Sequence, residues 1–66
     1  MKLHINGETR EVTQASTLKS LLEQFKINPE TVVVEHNEAA ISRNHLSSVA
    51  LQEGDKIEIV QFVGGG

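Results

Sequence analysis

The residues best suited to chemistry are the last three, Gly64-Gly65-Gly66. Glycine has no functional side chain, so the reactive group such a run can present is a terminal carboxylate. Residues without Cβ atoms pass through channels too narrow for other side chains, and three of them reach about 10 Å when extended at about 3.3–3.6 Å each. A C-terminal carboxylate, with an intrinsic pKa of about 3.3–3.7, is ionised near neutral pH and is a poor acyl donor until activated. Attack of that carboxylate on the α-phosphate of ATP, with a metal ion neutralising phosphate charge, would give an acyl-adenylate with a good leaving group. A sulfur nucleophile could then convert it to a thiocarboxylate. The chain has no cysteine, so sulfur cannot ride on it as a cysteine persulfide, and the acyl group of Gly66 is the expected carrier.

The other titratable residues offer less. His4, His36 and His45 lie far apart with no ligand spacing, and no metal site is expected. Glu8/Glu11 and Glu53/Asp55 could be imagined as acid pairs, but polar strand edges and turns explain them more simply. Two aromatics, Phe25 and Phe62, are too few for a base-stacking platform or a cofactor cage. Six basic against nine acidic residues, a net charge of −3, supply no basic patch for phosphates, which argues against nucleic acid as a partner. The opening residues Met1 to Gly7 interrupt their apolar positions with polar ones, unlike a signal peptide or membrane span, so the cytoplasm is the expected location. In 66 residues a pocket of several hundred Å³ is hard to enclose, and catalysis is expected to reside in partners.

Positioning the glycines requires a scaffold, which the sequence outlines. Leu3 and Ile5 alternate with polar residues and run into Asn6-Gly7, a strong hairpin signal, so residues 2–5 and about 8–13 read as paired strands. Glu8, Arg10 and Val12 alternate with Thr9, Glu11 and Thr13, a polar pattern that suits a sheet edge. Ser16 or Thr17 can cap a helix of roughly ten residues whose Leu18, Leu21, Leu22 and Phe25 share one face, with a stop near Asn28-Pro29. Val32-Val33-Val34 reads as a strand buried on one side and partly covered on the other. Asn37-Glu38 offers a turn, Ala39 to Ile41 a short strand, and Ser42 to Leu46 an irregular surface connection. After the Glu53-Gly54-Asp55 turn, Lys56 to Val63 reads as the last and longest strand, with Ile57 and Ile59 on one face and Glu58, Val60 and Phe62 on the other.

The order hairpin, helix, strand, short strand, strand is that of an α+β β-grasp: a mixed four- to five-stranded sheet on one main helix. The expected core is Leu3, Ile5, Leu18, Leu21, Leu22, Phe25, Val32, Val34, Ile41, Leu51, Ile57 and Ile59. Residues 1–63 form the expected domain and 64–66 a flexible tail. Val60, Phe62 and Val63, beside that tail and opposite Ile57 and Ile59, are the expected docking patch.

Over essentially its whole length the chain resembles the ThiS family of sulfur carriers from thiamin biosynthesis, which are ubiquitin-like β-grasp proteins. The most specific segment is Gly54-Asp55-Lys56-Ile57-Glu58-Ile59-Val60-Gln61-Phe62-Val63-Gly64-Gly65-Gly66, supported by the Asn6-Gly7 hairpin and the Leu18/Leu21/Leu22 helix. The resemblance implies that a ThiF-like enzyme adenylates Gly66 using ATP and Mg. It also implies that sulfur arrives by a cysteine desulfurase route, that a ThiG-like thiazole synthase consumes the thiocarboxylate, and that the carrier itself binds no cofactor. Some members end in a different residue before Gly-Gly, so Gly65 and Gly66 match that pattern more directly than Gly64. Two rivals share the fold: a carrier for molybdopterin synthesis, and a ubiquitin-like modifier or interaction module.

Overall fold

Asn6 and Gly7 both take positive φ, 51° and 82°, the geometry of a two-residue turn whose twist suits the strands it joins. It closes β1 (Lys2–Ile5) onto β2 (Glu8–Glu11), with Ile5 opposite Glu8. Asn37 and Glu38 repeat the device, at φ 51° and 72°, between β3 (Val32–His36) and β4 (Ala39–Ile41). The computed structural model describes residues 1–62, and its last strand, β5 (Lys56–Gln61), enters between the two hairpins. The sheet order is β2-β1-β5-β3-β4, parallel between β1 and β5 and antiparallel elsewhere. This is the expected mixed β-grasp sheet, with five strands.

A single helix, α1 (Leu18–Gln24), lays Leu18, Leu21 and Leu22 on the sheet. Of the two expected caps it uses Thr17, whose Oγ1 accepts from the Ser20 N–H at 3.1 Å while Ser20 Oγ accepts from the Thr17 N–H at 2.9 Å. This reciprocal capping satisfies two of the donors that a helix start leaves open. At seven residues the helix is shorter than expected, and Pro29 does not end it. Lys26, at φ 60°, ends it: its N–H donates to Glu23 O at 3.0 Å and the Ile27 N–H to Leu22 O at 2.9 Å, a Schellman closure. Asn28-Pro29 instead begins a separate 3-10 turn, Pro29–Thr31, capped by Asn28 Oδ1.

Nine of the expected core residues are buried, whereas Phe25, Ile41 and Ile59 pack at the margin of the cluster. Three core residues were not anticipated. β2 ends at Glu11 rather than near residue 13, and Val12 turns under the sheet to become almost fully buried, its N–H held by Met1 O at 2.8 Å. Ala15 follows it into the core. Leu46, expected in a surface connection, is buried from a 3-10 helix, Arg43–Ser48. That stretch leads to Val49, whose carbonyl receives the Leu18 N–H at 3.1 Å, and to Leu51, whose N–H meets Ser16 O at 2.9 Å. The connection thus closes the open end of the core beside the helix start.

Lys26 carries a Cβ in a left-handed conformation, a cost glycine avoids. Lys26→Gly should raise the unfolding free energy by about 1 kcal/mol, and Thr17→Ala should lower it by about 1 kcal/mol. Urea denaturation monitored by circular dichroism would measure both.

Candidate functional site

The predicted reactive residue Gly66, its neighbours Gly64 and Gly65, and the predicted docking residue Val63 lie outside the described residues. What the structure describes is the strand leading to them. β5 is held at three points along its length.

At its start, the Asp55 carboxylate is buried and accepts three hydrogen bonds. An ionised carboxylate can only accept, so His36 Nε2 donates to Asp55 Oδ2 at 2.7 Å, joined by the Gln52 N–H at 2.9 Å; Asn37 Nδ2 donates to Oδ1 at 3.2 Å. Burial alone would raise the Asp55 pKa. The hydrogen bonds from His36, Gln52 and Asn37, with the charge of His36, outweigh it and hold the carboxyl below its ordinary value of 3.8. The oxygen of the same Asn37 amide accepts the Lys56 N–H at 2.9 Å, so one cluster ties the β3–β4 turn to the first residue of β5. Asp55 reads as a simple turn residue in sequence, and its burial appears only once β3 and β5 are paired.

In its middle, β5 outruns its parallel neighbour. Pairing with β1 ends at Ile5 opposite Ile57, where the hairpin turns away. The Asn6 side chain continues the ladder: its Oδ1 accepts the Ile59 N–H at 2.7 Å and its Nδ2 donates to Ile59 O at 3.1 Å. A side-chain amide here takes the place of a strand residue. At the far end, the Phe62 N–H donates to Thr31 O at 3.1 Å, so the Asn28-Pro29 turn anchors the last described residue.

The two faces of β5 differ as expected near its start, where Ile57 is fully buried against the helix side. On the open face Val60 is 59% and Phe62 49% exposed, and Val33, opposite Val60 in the register, is 45% exposed. Val33 corrects the expectation of a partly covered second face for β3: the sheet has one covered face, and Val33 joins Val60 and Phe62 on the other. The alternation of Val32-Val33-Val34 contains this signal, but assigning it requires knowing which two valines point to the helix.

On the helix side, an open groove of about 390 Å³ is lined by Ile5, Asn6, Arg10, Phe25, Ile27 and Ile59. The Arg10 guanidinium sits 5.2 Å from the Phe25 ring centroid, and its Nη1 is 3.9 Å from Glu8 Oε1. No Ser, Thr, Cys, His or Lys lines it. Among the described residues no group of three or more His, Cys, Asp or Glu side chains converges as a metal site, and no helix is long and apolar enough to cross a membrane. His4 and His45 make only local bonds, to Thr9 Oγ1 at 3.1 Å and Ser42 Oγ at 2.7 Å.

Comparison with known proteins places this geometry. Residues 3–66 match the model of the ThiS family. The sulfur carrier protein ThiS of Bacillus subtilis is 35% identical over 65 residues, spanning 97% of this chain and 98% of that protein. A thiazole synthase of Magnetococcus marinus is 47% identical over all 66 residues; the chain spans about a fifth, 20%, of that relative's length. The crystal structure of the thiamine biosynthesis protein ThiS from Geobacter metallireducens superposes with a TM-score of 0.84 at 32% identity, covering both chains fully. A ubiquitin-like protein from Caldiarchaeum subterraneum, 22% identical with a TM-score of 0.52, shares the fold.

The Asp55 cluster predicts an acid-sensitive element. Because the folded pKa lies below 3.8, its contribution to stability is full above that value and is lost as pH falls through the lower folded pKa. Asp55→Asn should lower the unfolding free energy near pH 7 by about 2 kcal/mol, and chemical denaturation from pH 7 to pH 2 should show a flatter acid limb than for the native chain.

Proposed function

The chain belongs to the ThiS family, and from that membership we propose that it is the sulfur carrier for assembly of the thiazole moiety of thiamin, working through the carboxylate of Gly66. The observation that carries the reading is the anchored β5, which leads at Phe62 directly into the glycine run that the family match includes. Similarity of the whole chain to part of a thiazole synthase supports thiazole formation over the molybdopterin alternative.

In this reading Gly66 is the last residue of the mature chain. A ThiF-like adenylyltransferase binds ATP and Mg, and a Gly66 carboxylate oxygen attacks the α-phosphorus, forming the acyl-adenylate and releasing pyrophosphate. Hydrosulfide, released from the persulfide of a cysteine desulfurase route by a thiol reductant that becomes a disulfide, attacks the acyl carbon, AMP leaves, and the thiocarboxylate is delivered to a ThiG-like synthase. Adenylation is needed because it replaces a charged, resonance-stabilised carboxylate with a mixed anhydride whose leaving group, AMP, is a good one. The carrier provides slenderness and reach at Gly64 and Gly65, and it provides docking through Val60, Phe62 and Val63, with Val33 beside them. Exposed apolar side chains clustered next to the reacting end suit an interface core that becomes desolvated on binding.

Two measurements test the reading. Adding one alanine after Gly66 should leave the fold unchanged and abolish adenylation in an ATP–pyrophosphate exchange assay, and intact-protein mass spectrometry should find an oxygen-to-sulfur increase localised to Gly66. Undiminished exchange by the extended chain would mean that Gly66 is not the reacting end. Phe62→Ala should weaken binding to the adenylating enzyme by about tenfold or more in a calorimetric titration, with the thermal midpoint of the carrier nearly unchanged.

A further inference from the structure

Asn6 does more than the turn it stands in requires. A two-residue turn with positive φ at both positions is met by Asp-Gly or Gly-Gly as well as by Asn-Gly, so the φ values of 51° and 82° at Asn6 and Gly7 do not of themselves call for an amide. The amide is used across the sheet. The Asn6 backbone N–H donates to Ile57 O at 3.0 Å, and its side chain then meets the next rung of the same strand. There Nδ2 donates to Ile59 O at 3.1 Å and Oδ1 accepts the Ile59 N–H at 2.7 Å. Matching a backbone N–H and C=O together takes an acceptor and a donor on separate atoms of one planar group, and among side chains this short only asparagine has them. β1 has no strand residue left at this height, since its pairing with β5 stops at Ile5 opposite Ile57. Around Ile59, β5 is therefore held by β3 along one edge and by the Asn6 side chain along the other.

We propose that Asn6 is a positioning residue for adenylation of the chain end: its amide fixes the direction in which β5 leaves the sheet, and with it the direction from which the glycine run is presented. The role rests on the carrier reading above and ties the rate of that step to one side chain of the scaffold. Ile59 lies three residues before Phe62, the last described residue, so the two side-chain hydrogen bonds act on the part of β5 nearest in sequence to the glycine run. Asn6 is solvent-exposed, and hydrogen bonds that replace bonds to water contribute only modestly to stability. What they add here is constraint. A strand paired along one edge can swing about that edge, whereas a strand held on both sides keeps one direction. The reacting carboxylate must meet the α-phosphorus of ATP in line, and a displacement on the order of 1 Å at a reacting group is enough to slow such a step. Val33, Val60 and Phe62, which serve docking, remain exposed with or without the Asn6 amide.

The test is ATP–pyrophosphate exchange by the adenylating enzyme, with the full chain as the varied substrate and at a temperature where every variant is folded. Asn6→Gly keeps the positive-φ turn and removes the amide. Its kcat should fall about tenfold or more, with KM changed by less than about threefold. Asn6→Asp keeps the turn and an acceptor for the Ile59 N–H but sets a second carboxylate oxygen against Ile59 O, and it should exchange no faster than Asn6→Gly. Thr17→Ala, which loses the helix cap and leaves β5 untouched, supplies a carrier of lowered stability and should keep the native kcat. In the unbound carrier, amide hydrogen exchange at Ile59 should be about tenfold faster in Asn6→Gly than in Thr17→Ala.

A kcat for Asn6→Gly no lower than that of Thr17→Ala overturns the positioning role, because lost stability then accounts for the whole effect. So does a loss confined to KM, which would place Asn6 in the docking surface, and so does a native kcat for Asn6→Asp, which would make the amide donor dispensable. Should Asn6→Gly fail to fold, Asn6→Asp against Thr17→Ala decides on the same terms. Exchange with the native chain separates the two levels: none overturns the carrier reading itself, whereas normal exchange together with a native kcat for Asn6→Gly overturns only the role of Asn6.

Discussion

The central position of β5 governs the rest of the molecule. It is the last strand of the described residues and yet lies between β1 and β3, so neither hairpin belongs to a common sheet until it arrives. Its two neighbours run in opposite senses relative to it, and they stop at different heights: β1 supports it only to Ile57, whereas β3 follows it to Gln61. Beyond Ile57 the backbone groups on the β1 side of β5 have no strand to pair with. Asn6 resolves this at Ile59 with a side-chain amide, and Thr31 receives the Phe62 N–H with a carbonyl from outside the sheet. The two hairpin turns carry asparagines to the same end: the residue type that tolerates positive φ at Asn6 and Asn37 also bonds β5 through its side chain, as donor and acceptor to Ile59 from Asn6 and as acceptor of the Lys56 N–H from Asn37.

The two faces of that strand are under different demands. Toward the helix, Ile57 is packed without a trace of solvent, and the local rules of pattern, burial and polar satisfaction agree. Toward solvent they disagree: three large apolar side chains are exposed and two glutamates oppose each other. A sheet selected for stability alone would place polar residues and opposite charges there. Disagreement between local consistency and the observed sequence, confined to one face and adjoining the end of the chain, is the pattern expected where binding competes with stability.

The fold was legible because its strongest signals are local. Asn6-Gly7, the Leu18/Leu21/Leu22 spacing and the alternation of Ile57 with Glu58 each depend on a few neighbouring residues, and together they leave few topologies open. What escaped reading depends on contacts between distant segments. Val12 looks like one member of a polar strand until the chain turns beneath Met1; Leu46 sits among five polar residues whose 3-10 helix is aimed by the helix start; Asp55 is a turn residue until His36 and Asn37 arrive from β3. The end of the helix was misassigned for a related reason. Proline announces that a helix cannot continue, but Lys26 shows that hydrogen-bond closure can end one earlier, through a conformation its residue type does not advertise.

The candidate site was legible in a different sense. Glycines at the end of a strand are conspicuous because they contribute nothing to packing. The exposed apolar face was half visible, since Val60 and Phe62 follow from strand alternation, whereas Val33 and the Glu35–Glu58 opposition require the register between two strands. In the groove beside Phe25 the charged residues, Glu8 and Arg10, are engaged with each other and with the aromatic ring. The hydrogen bonds at Asp55, Ile59 and Phe62 fix β5 at three points, so the strand that precedes the glycine run in sequence has one direction relative to the rest of the sheet.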